Sequence, residues 1–117
     1  CVMESKLLFC QLALVRHQPD KARALIEECS RITVEEAEAK QHYLLTCAWY
    51  EHSRSRPDRA FEYIEAAADV FGPRIRAGDH TPHLLARLSR FAWPEHALNR
   101  IEAWRALLND RARRKVS

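Results

Sequence analysis

One nine-residue block occurs three times in this chain, at residues 19–27, 57–65 and 94–102. Each copy has a proline, an acidic residue, any residue, an alanine, three variable residues, an isoleucine and a glutamate. The prolines at positions 19, 57 and 94 are separated by 38 and 37 residues. A period in this range is typical of stacked helical repeats, in which no single unit buries its apolar face alone.

The chemistry of the block predicts the start of a helix. Proline lacks a backbone donor and has its φ angle fixed near the helical value, so it suits the first turn. The acidic residue beside it lies at the positive end of the helix dipole. The alanine and the isoleucine are four residues apart and therefore share one face, on which a small residue lets a neighbouring helix approach closely. These pairs are Ala22 with Ile26, Ala60 with Ile64, and Ala97 with Ile101.

A pair of leucines opens an apolar segment ahead of each block, at positions 7–8, 44–45 and 84–85. The repeated unit is therefore predicted to be helix A, a short turn, and helix B starting at the proline. We expect a single domain over residues 1–117, with repeats at 3–32, 33–71 and 81–114 and a connector at 72–80. Thr33 and Glu36 form a predicted capping box for the second A helix, and the third A helix is predicted to end near Ala92.

At these positions the chain resembles the tetratricopeptide family of helix-turn-helix repeats. Its block alanines match the family's alanine early in helix B, and Cys10 and Ala48 match the small residue of helix A. The period is longer than the family's roughly 34 residues, and the turn lacks the usual glycine. The resemblance implies an all-α fold of three helical hairpins, about six helices, stacked as a short right-handed α-solenoid. Longer hairpin repeats of the HEAT kind remain open on the period alone.

Composition supports a helical protein. With two glycines, five prolines and 47% hydrophobic residues, the chain is unlike a disordered or turn-rich all-β protein. No apolar run approaches the roughly 18 residues that a membrane span needs. We identify no signal peptide and expect a cytoplasmic location without membrane contact. The cysteines lack a CxxC spacing and are predicted to be buried, reduced thiols. They are Cys1, Cys10, Cys29 and Cys47.

Charge is distributed unevenly, although the net charge is only +3. Residues 1–70 carry nine basic and twelve acidic side chains, whereas residues 71–117 carry ten basic and four acidic ones. A basic end can meet nucleic acid or an acidic protein, or complement a helix C-terminus. No aromatic interleaving or nucleic-acid-binding motif accompanies the charge. The candidate basic patch comprises Arg111, Arg113, Arg114 and Lys115.

No catalytic constellation is recognisable. The sequence has neither a nucleophile elbow nor a glycine-rich phosphate loop. His80 and His83 straddle a predicted helix start without a third ligand nearby, so we expect no metal and no cofactor. His42, His52 and His96 are predicted to be surface residues.

Two sets of residues are candidates for binding another protein. The first A helix is apolar nearly all round, so either it is enclosed by other helices or it has an exposed face that a second subunit or another segment covers. The candidate interface residues are Leu7, Leu8, Phe9 and Leu12. The resemblance implies that A helices line a concave surface that binds an extended or helical peptide. Candidates there are Lys40, Tyr43, Trp49, Tyr50, Arg87 and Arg90. The aromatic residues could instead serve packing between hairpins.

The leading hypothesis is therefore a non-enzymatic interaction module, an adaptor, scaffold or chaperone-like protein that binds a peptide or helix of a partner. One alternative is the sensor segment of a larger bacterial transcription regulator, because Pro-Asp-x-Ala blocks resemble the repeats of the maltose-activator type. Another alternative is nucleic-acid binding through the basic C-terminal half. Self-association is also expected if the first helix exposes its apolar face.

Overall fold

The computed structural model describes the backbone of residues 2–32, 37–70 and 81–116, and the side chains of 5–32, 37–70 and 81–108. Within these ranges the chain forms six α-helices and no strand, which confirms the all-α prediction. The predicted capping box and the connector lie outside the described residues. None of the described helices is long and apolar enough to cross a bilayer. The helices are α1 Val2–Val15, α2 Pro19–Ser30, α3 Ala37–Ser53, α4 Pro57–Asp69, α5 Thr81–Leu88 and α6 Glu95–Val116.

The three repeated blocks begin α2, α4 and α6, as predicted. Helices α2 and α4 start at their prolines, each with an aspartate in the first turn. Helix α6 starts one residue later, at Glu95. Its proline caps the helix instead, because the Pro94 carbonyl accepts hydrogen bonds from the amides of Ala97 and Leu98, both at 3.0 Å.

The turns of the first two hairpins have the same geometry. His17 and Ser55, each two residues before a block proline, have φ angles of 56° and 61°. The next amide, that of Gln18 or Arg56, donates to the carbonyl five residues back, at 2.8 Å and 3.0 Å respectively. This is a Schellman ending, whose left-handed residue is most often glycine. Here a histidine and a serine hold that conformation.

The third hairpin has a longer turn. Helix α5 ends at Leu88 and not near Ala92, so the predicted end is wrong by about one helical turn. The Leu88 carbonyl at this helix end accepts two hydrogen bonds from the turn, from the indole Nε1 of Trp93 at 2.6 Å and from the amide of Phe91 at 3.0 Å. Phe91 and Trp93 then pack against His52 of α3, with ring centroids 4.7 Å and 4.6 Å away. These contacts bring the turn back onto α3.

The repeated block accounts for much of the core. All three block alanines are fully buried, as are two of the three isoleucines, Ile64 and Ile101. The three glutamates that follow the isoleucines are exposed. Where α1 crosses α2, the Cys10 thiol lies 3.5 Å from the carbonyl oxygen of Ala22. A side chain larger than alanine at that crossing would push the two helices apart.

Helices α1, α3 and α5 lie side by side, with α3 in the centre. They run in the same direction. Near the start of α3, the Thr81 hydroxyl of α5 donates to Gln41 Oε1 at 2.6 Å. Further along, the amide of Gln11 on α1 reaches Thr46, and Arg87 on α5 reaches Trp49. Helices α2 and α4 also contact α3, while α6 packs on α4 and α5.

The cysteines in the described part of the chain are confirmed as buried free thiols: Cys10, Cys29 and Cys47. Burial raises the pKa of Cys10 and of Cys47 to about 12, because the thiolate would lose its hydration. These thiols are therefore neutral at physiological pH and fill the core as small apolar groups.

Candidate functional site

A groove runs between α1 and α5, with α3 beneath it. Its volume is about 330 Å³. We call it the α1–α5 groove. It is lined by Leu8, Gln11, Leu12 and Val15 of α1, Trp49 of α3, and His83, Leu84 and Arg87 of α5.

The α1 side of the groove is apolar and accessible to solvent. Leu8, Leu12 and Val15 are 49%, 45% and 47% exposed, respectively. They occupy positions i, i+4 and i+7 of one helix and therefore form a continuous line along its surface. We refer to these three residues as the apolar stripe. Because each of these side chains is only partly buried, covering it with another apolar surface would release further favourable free energy.

The base of the groove pairs an aromatic ring with a cation. Trp49 is only 6% exposed. The guanidinium carbon of Arg87 lies 4.8 Å from the centroid of the Trp49 ring, within the range of a cation–π interaction. Arg87 itself is exposed. The ring therefore holds the guanidinium at the base of the groove. The N–H groups of Arg87 stay accessible to a ligand because the side chain is exposed.

A polar network lies beneath the α1 edge of the groove. The Gln11 amide nitrogen is 2.8 Å from His42 Nε2 and donates to the Thr46 hydroxyl at 3.1 Å. The Thr46 hydroxyl in turn donates to the His42 carbonyl at 2.9 Å. His42 is 2% exposed, so its predicted surface position is wrong. The histidine is buried because its ring lies at the contact between α3 and α1, against Gln11.

The charge of the groove has one sign. Its lining includes the cation Arg87 and the titratable His83, and none of the lining residues is acidic. Helix α5, which forms one wall, contains no acidic residue. Lys6 of α1 points away from the groove and pairs with Glu28 of α2. The groove therefore combines an apolar wall with a positive wall.

The structure brings two of the six predicted partner-binding residues together, Trp49 and Arg87. It places Tyr43 and Tyr50 on another face of α3, outside this groove, so their role in binding stays a prediction. The side of α3 nearest the groove carries His42, Thr46 and Trp49.

The other four predicted partner-binding residues lie outside the α1–α5 groove. Tyr43 packs against a small cluster of Leu7, Cys29 and Ala39, and burial raises its pKa. Tyr50 lines a separate cavity of about 250 Å³. Lys40 on α3 and Arg90 in the turn after α5 are exposed and do not line the α1–α5 groove.

Of the predicted interface residues on α1, Leu8 and Leu12 belong to the groove. Phe9 is 63% exposed and lies beside it, outside the lining. Leu7 is fully buried and is removed from the predicted interface, because it faces α2 and α3. The predicted basic patch at positions 111, 113, 114 and 115 lies on the last turns of α6, beyond the described side chains.

Sequence reasoning missed four lining residues: Gln11, Val15, His83 and Leu84. A signal for two of them was present. Val15 continues the i, i+4, i+7 spacing of Leu8 and Leu12, and His83 stands four residues before Arg87 on one face of α5. Gln11 had no such signal, since a single amide in an apolar helix says nothing about what it faces.

The separate cavity beside Tyr50 is less suited to a ligand. It lies among α2, α3 and α4, and its charged groups largely neutralise one another. Arg23 pairs with Glu27 at 3.2 Å, and Arg56 pairs with Glu51 at 3.5 Å. Only Arg54 among the cationic residues of its lining lacks a carboxylate partner in the described part of the chain.

No protein-family model matches the chain, and comparison with curated proteins and with solved structures found no similar protein. The assignment of a function therefore rests on the geometry and chemistry of the α1–α5 groove.

Proposed function

We propose that this protein is a non-catalytic interaction module, built from tetratricopeptide-like helical hairpins, that binds a helix of a partner protein in the α1–α5 groove. The observation that carries the proposal is the apolar stripe. Three aliphatic side chains at i, i+4 and i+7 stand about half exposed along one wall of an open groove. An amphipathic helix presents its own anchors at the same spacing.

The energy available from the stripe is sufficient to matter. Complete burial of a leucine or valine side chain contributes roughly 1.5–3 kcal/mol. Since each member is about half exposed, covering it would recover about 1 kcal/mol, or about 3 kcal/mol for the stripe. The apolar side of the partner helix would add a similar amount. This sum of about 6 kcal/mol only just exceeds the low end of the roughly 4–15 kcal/mol that association costs, so the stripe alone gives weak binding and polar contacts in the groove must add to it.

The arrangement of the hairpins supports the same function. The A helices α1, α3 and α5 lie side by side and all three contribute to the groove. Two small residues, Cys10 and Ala22, meet where α1 crosses α2, as in the tetratricopeptide family that the chain resembles. A right-handed solenoid of such hairpins would present these helices on its concave side, where a partner helix is enclosed on two sides.

A display library of amphipathic helices tests the proposal. The library keeps leucine at i, i+4 and i+7 and randomises the flanking positions without a bias in charge. Selected peptides are then measured by fluorescence anisotropy against the native protein, Leu12→Glu and Leu107→Glu. Leu107 lies on α6 and is 45% exposed, the same fraction as Leu12, so it is a matched control.

We expect Leu12→Glu to weaken binding at least tenfold, because it places a charge in the apolar wall. Leu107→Glu should leave the affinity within about twofold of native. The proposal is wrong if the library yields no peptide whose affinity depends on Leu12, or if both substitutions weaken binding equally.

A further inference from the structure

We infer that the partner helix is acidic, and that Arg87 selects it by pairing with a carboxylate beside the apolar anchors. This inference rests on the proposed function and specifies the chemistry of its occupant. It commits to a helix from a different protein, with aspartate or glutamate on the flank that faces α5.

The first argument is charge complementarity. Among the residues that line the groove, Arg87 is cationic and none carries a negative charge. In the described part of the chain Arg87 has no carboxylate partner, whereas Arg23, Arg56, Arg100 and Arg105 each have one. A guanidinium left without a partner in a groove is available to a ligand.

The second argument is the orientation of Arg87. The guanidinium carbon of Arg87 lies over the Trp49 ring, 4.8 Å from its centroid, and this contact restricts the side chain. Arg87 is exposed, so its N–H groups are accessible for two parallel hydrogen bonds to one carboxylate. A partly ordered arginine also loses less side-chain entropy when it binds. Arg87 is therefore a specificity-determining residue rather than a general source of positive charge.

The third argument is the separation of the two walls. A helix lying in the groove must turn one line of residues toward the apolar stripe and another toward α5. Adjacent residues of an α-helix are about 100° apart. Acidic residues next to the apolar anchors would therefore face Arg87 while the anchors contact Leu8, Leu12 and Val15.

A second copy of the chain fits the groove less well. Its exposed apolar stripe lies on α1, where Glu4 stands in the first turn and no acidic residue follows it as far as Val15. Pairing two such surfaces would therefore offer no carboxylate beside Leu12 or Val15. A nucleic acid would neutralise Arg87 but would leave the apolar stripe uncovered.

The experiment uses the selected peptides in three matched forms, with glutamate, glutamine or lysine at the positions next to the leucine anchors. We expect the glutamate form to bind the native protein about tenfold more tightly than the glutamine form, and the lysine form to bind weakest. The advantage of glutamate should shrink between roughly 50 and 500 mM salt, since the pair is partly exposed. Arg87→Gln should abolish that advantage, and Arg87→Glu should transfer it to the lysine form.

Arg100→Gln is the control, because Arg100 is an exposed arginine of α6 that pairs with Glu65 at 3.9 Å, outside the groove lining. It should leave the preference for glutamate unchanged. Arg87→Lys keeps a cation at the same place but loses the planar fork, so it should retain only part of the preference. Thermal melts of each variant show whether it is folded.

The outcomes separate the inference from the proposed function. If the three peptide forms bind equally and Leu12→Glu still weakens them, the groove binds helices and the selection by Arg87 is refuted. A preference for the lysine form refutes it as well. If light scattering shows a native dimer that Leu12→Glu dissociates, the occupant is a second copy and not an acidic partner. If no peptide depends on Leu12, the proposed function itself fails.

Discussion

Replacing His17 or Ser55 with glycine should stabilise this protein. Both side chains are exposed, and both residues hold a left-handed conformation, with φ angles of 56° and 61°. They occupy corresponding places in the Schellman endings of α1 and α3. A glycine there keeps the hydrogen bonds from the amides of Gln18 and Arg56, because these are made by the backbone alone.

The magnitude follows from two opposing terms. A left-handed conformation costs a residue with a Cβ atom roughly 1–2 kcal/mol, and glycine removes that cost. Glycine also loses more conformational entropy on folding, which amounts to roughly 0.5–1 kcal/mol. The net gain is about 0.5–1 kcal/mol at each turn. For a chain of 117 residues this corresponds to a rise in Tm of roughly 2–5 °C.

Urea denaturation followed by circular dichroism measures the free energy of unfolding of His17→Gly, Ser55→Gly and two controls. The controls are Arg16→Gly and Arg54→Gly, one residue earlier. Their amides donate to carbonyls four residues back, at 3.0 Å and 3.1 Å. A glycine there should cost about 0.5–1 kcal/mol, since the backbone is still right-handed. If His17→Gly and Ser55→Gly destabilise the protein as much as their neighbours do, the assignment of strain to these turns is wrong.

Two further predictions concern the core. The pKa values of Cys10 and Cys47 are raised by burial from 9.0 to about 12, so the fold favours their neutral thiols. Their contribution to stability should be complete below pH 9 and lost as the pH rises from 9 toward 12. Urea titrations over that range should show a shallower decline in a Cys10→Ala/Cys47→Ala variant, and an equal decline would contradict the prediction. Separately, Ala60→Leu should destabilise by about 1–3 kcal/mol through overpacking, whereas Ala66→Leu on the exposed face of α4 should change stability by less than about 0.5 kcal/mol. Equal effects of these two substitutions would show that Ala60 does not lie at a close helix crossing.

The elements that local chemistry determines could be predicted from the sequence. Pro19 and Pro57 begin their helices because proline fits only the first turn, and the alanine and isoleucine of each block share a face at any α-helical pitch. These features need no knowledge of the neighbouring helices. They were enough to predict an all-α chain with six helices in the described ranges.

Features that depend on packing between helices could not be predicted. Helix α3 contacts α1, α2, α4 and α5, and every residue from Leu45 to Trp49 is buried. This buried stretch offers no polar side from which to set the rotation of the helix, so the sequence could not show that Tyr43 and Tyr50 lie outside the α1–α5 groove. The end of α5 likewise depends on Trp93, which caps Leu88 only after the turn has packed against α3.

Only part of the candidate site could be predicted from the sequence, because its other residues depend on how the helices pack. Trp49 and Arg87 stood out as an aromatic residue and a cation on A helices, and the structure places them in contact. Leu8 and Leu12 are exposed and Leu7 is buried because α2 and α3 cover only one side of α1. The apolar composition of α1 alone does not contain that information.

The participation of all three hairpins in the α1–α5 groove links its affinity to a conformational equilibrium. The wall formed by α5 exists only while the third hairpin is docked on α3 and α4. Part of that docking comes from His52, which stacks on Phe91 and contacts the Ala92 carbonyl at 2.8 Å, outside the groove lining. The apparent dissociation constant equals the intrinsic one divided by the docked fraction of molecules. Weakening the His52 contacts would therefore lower affinity without touching the ligand, and a bound partner would reciprocally hold the third hairpin in place.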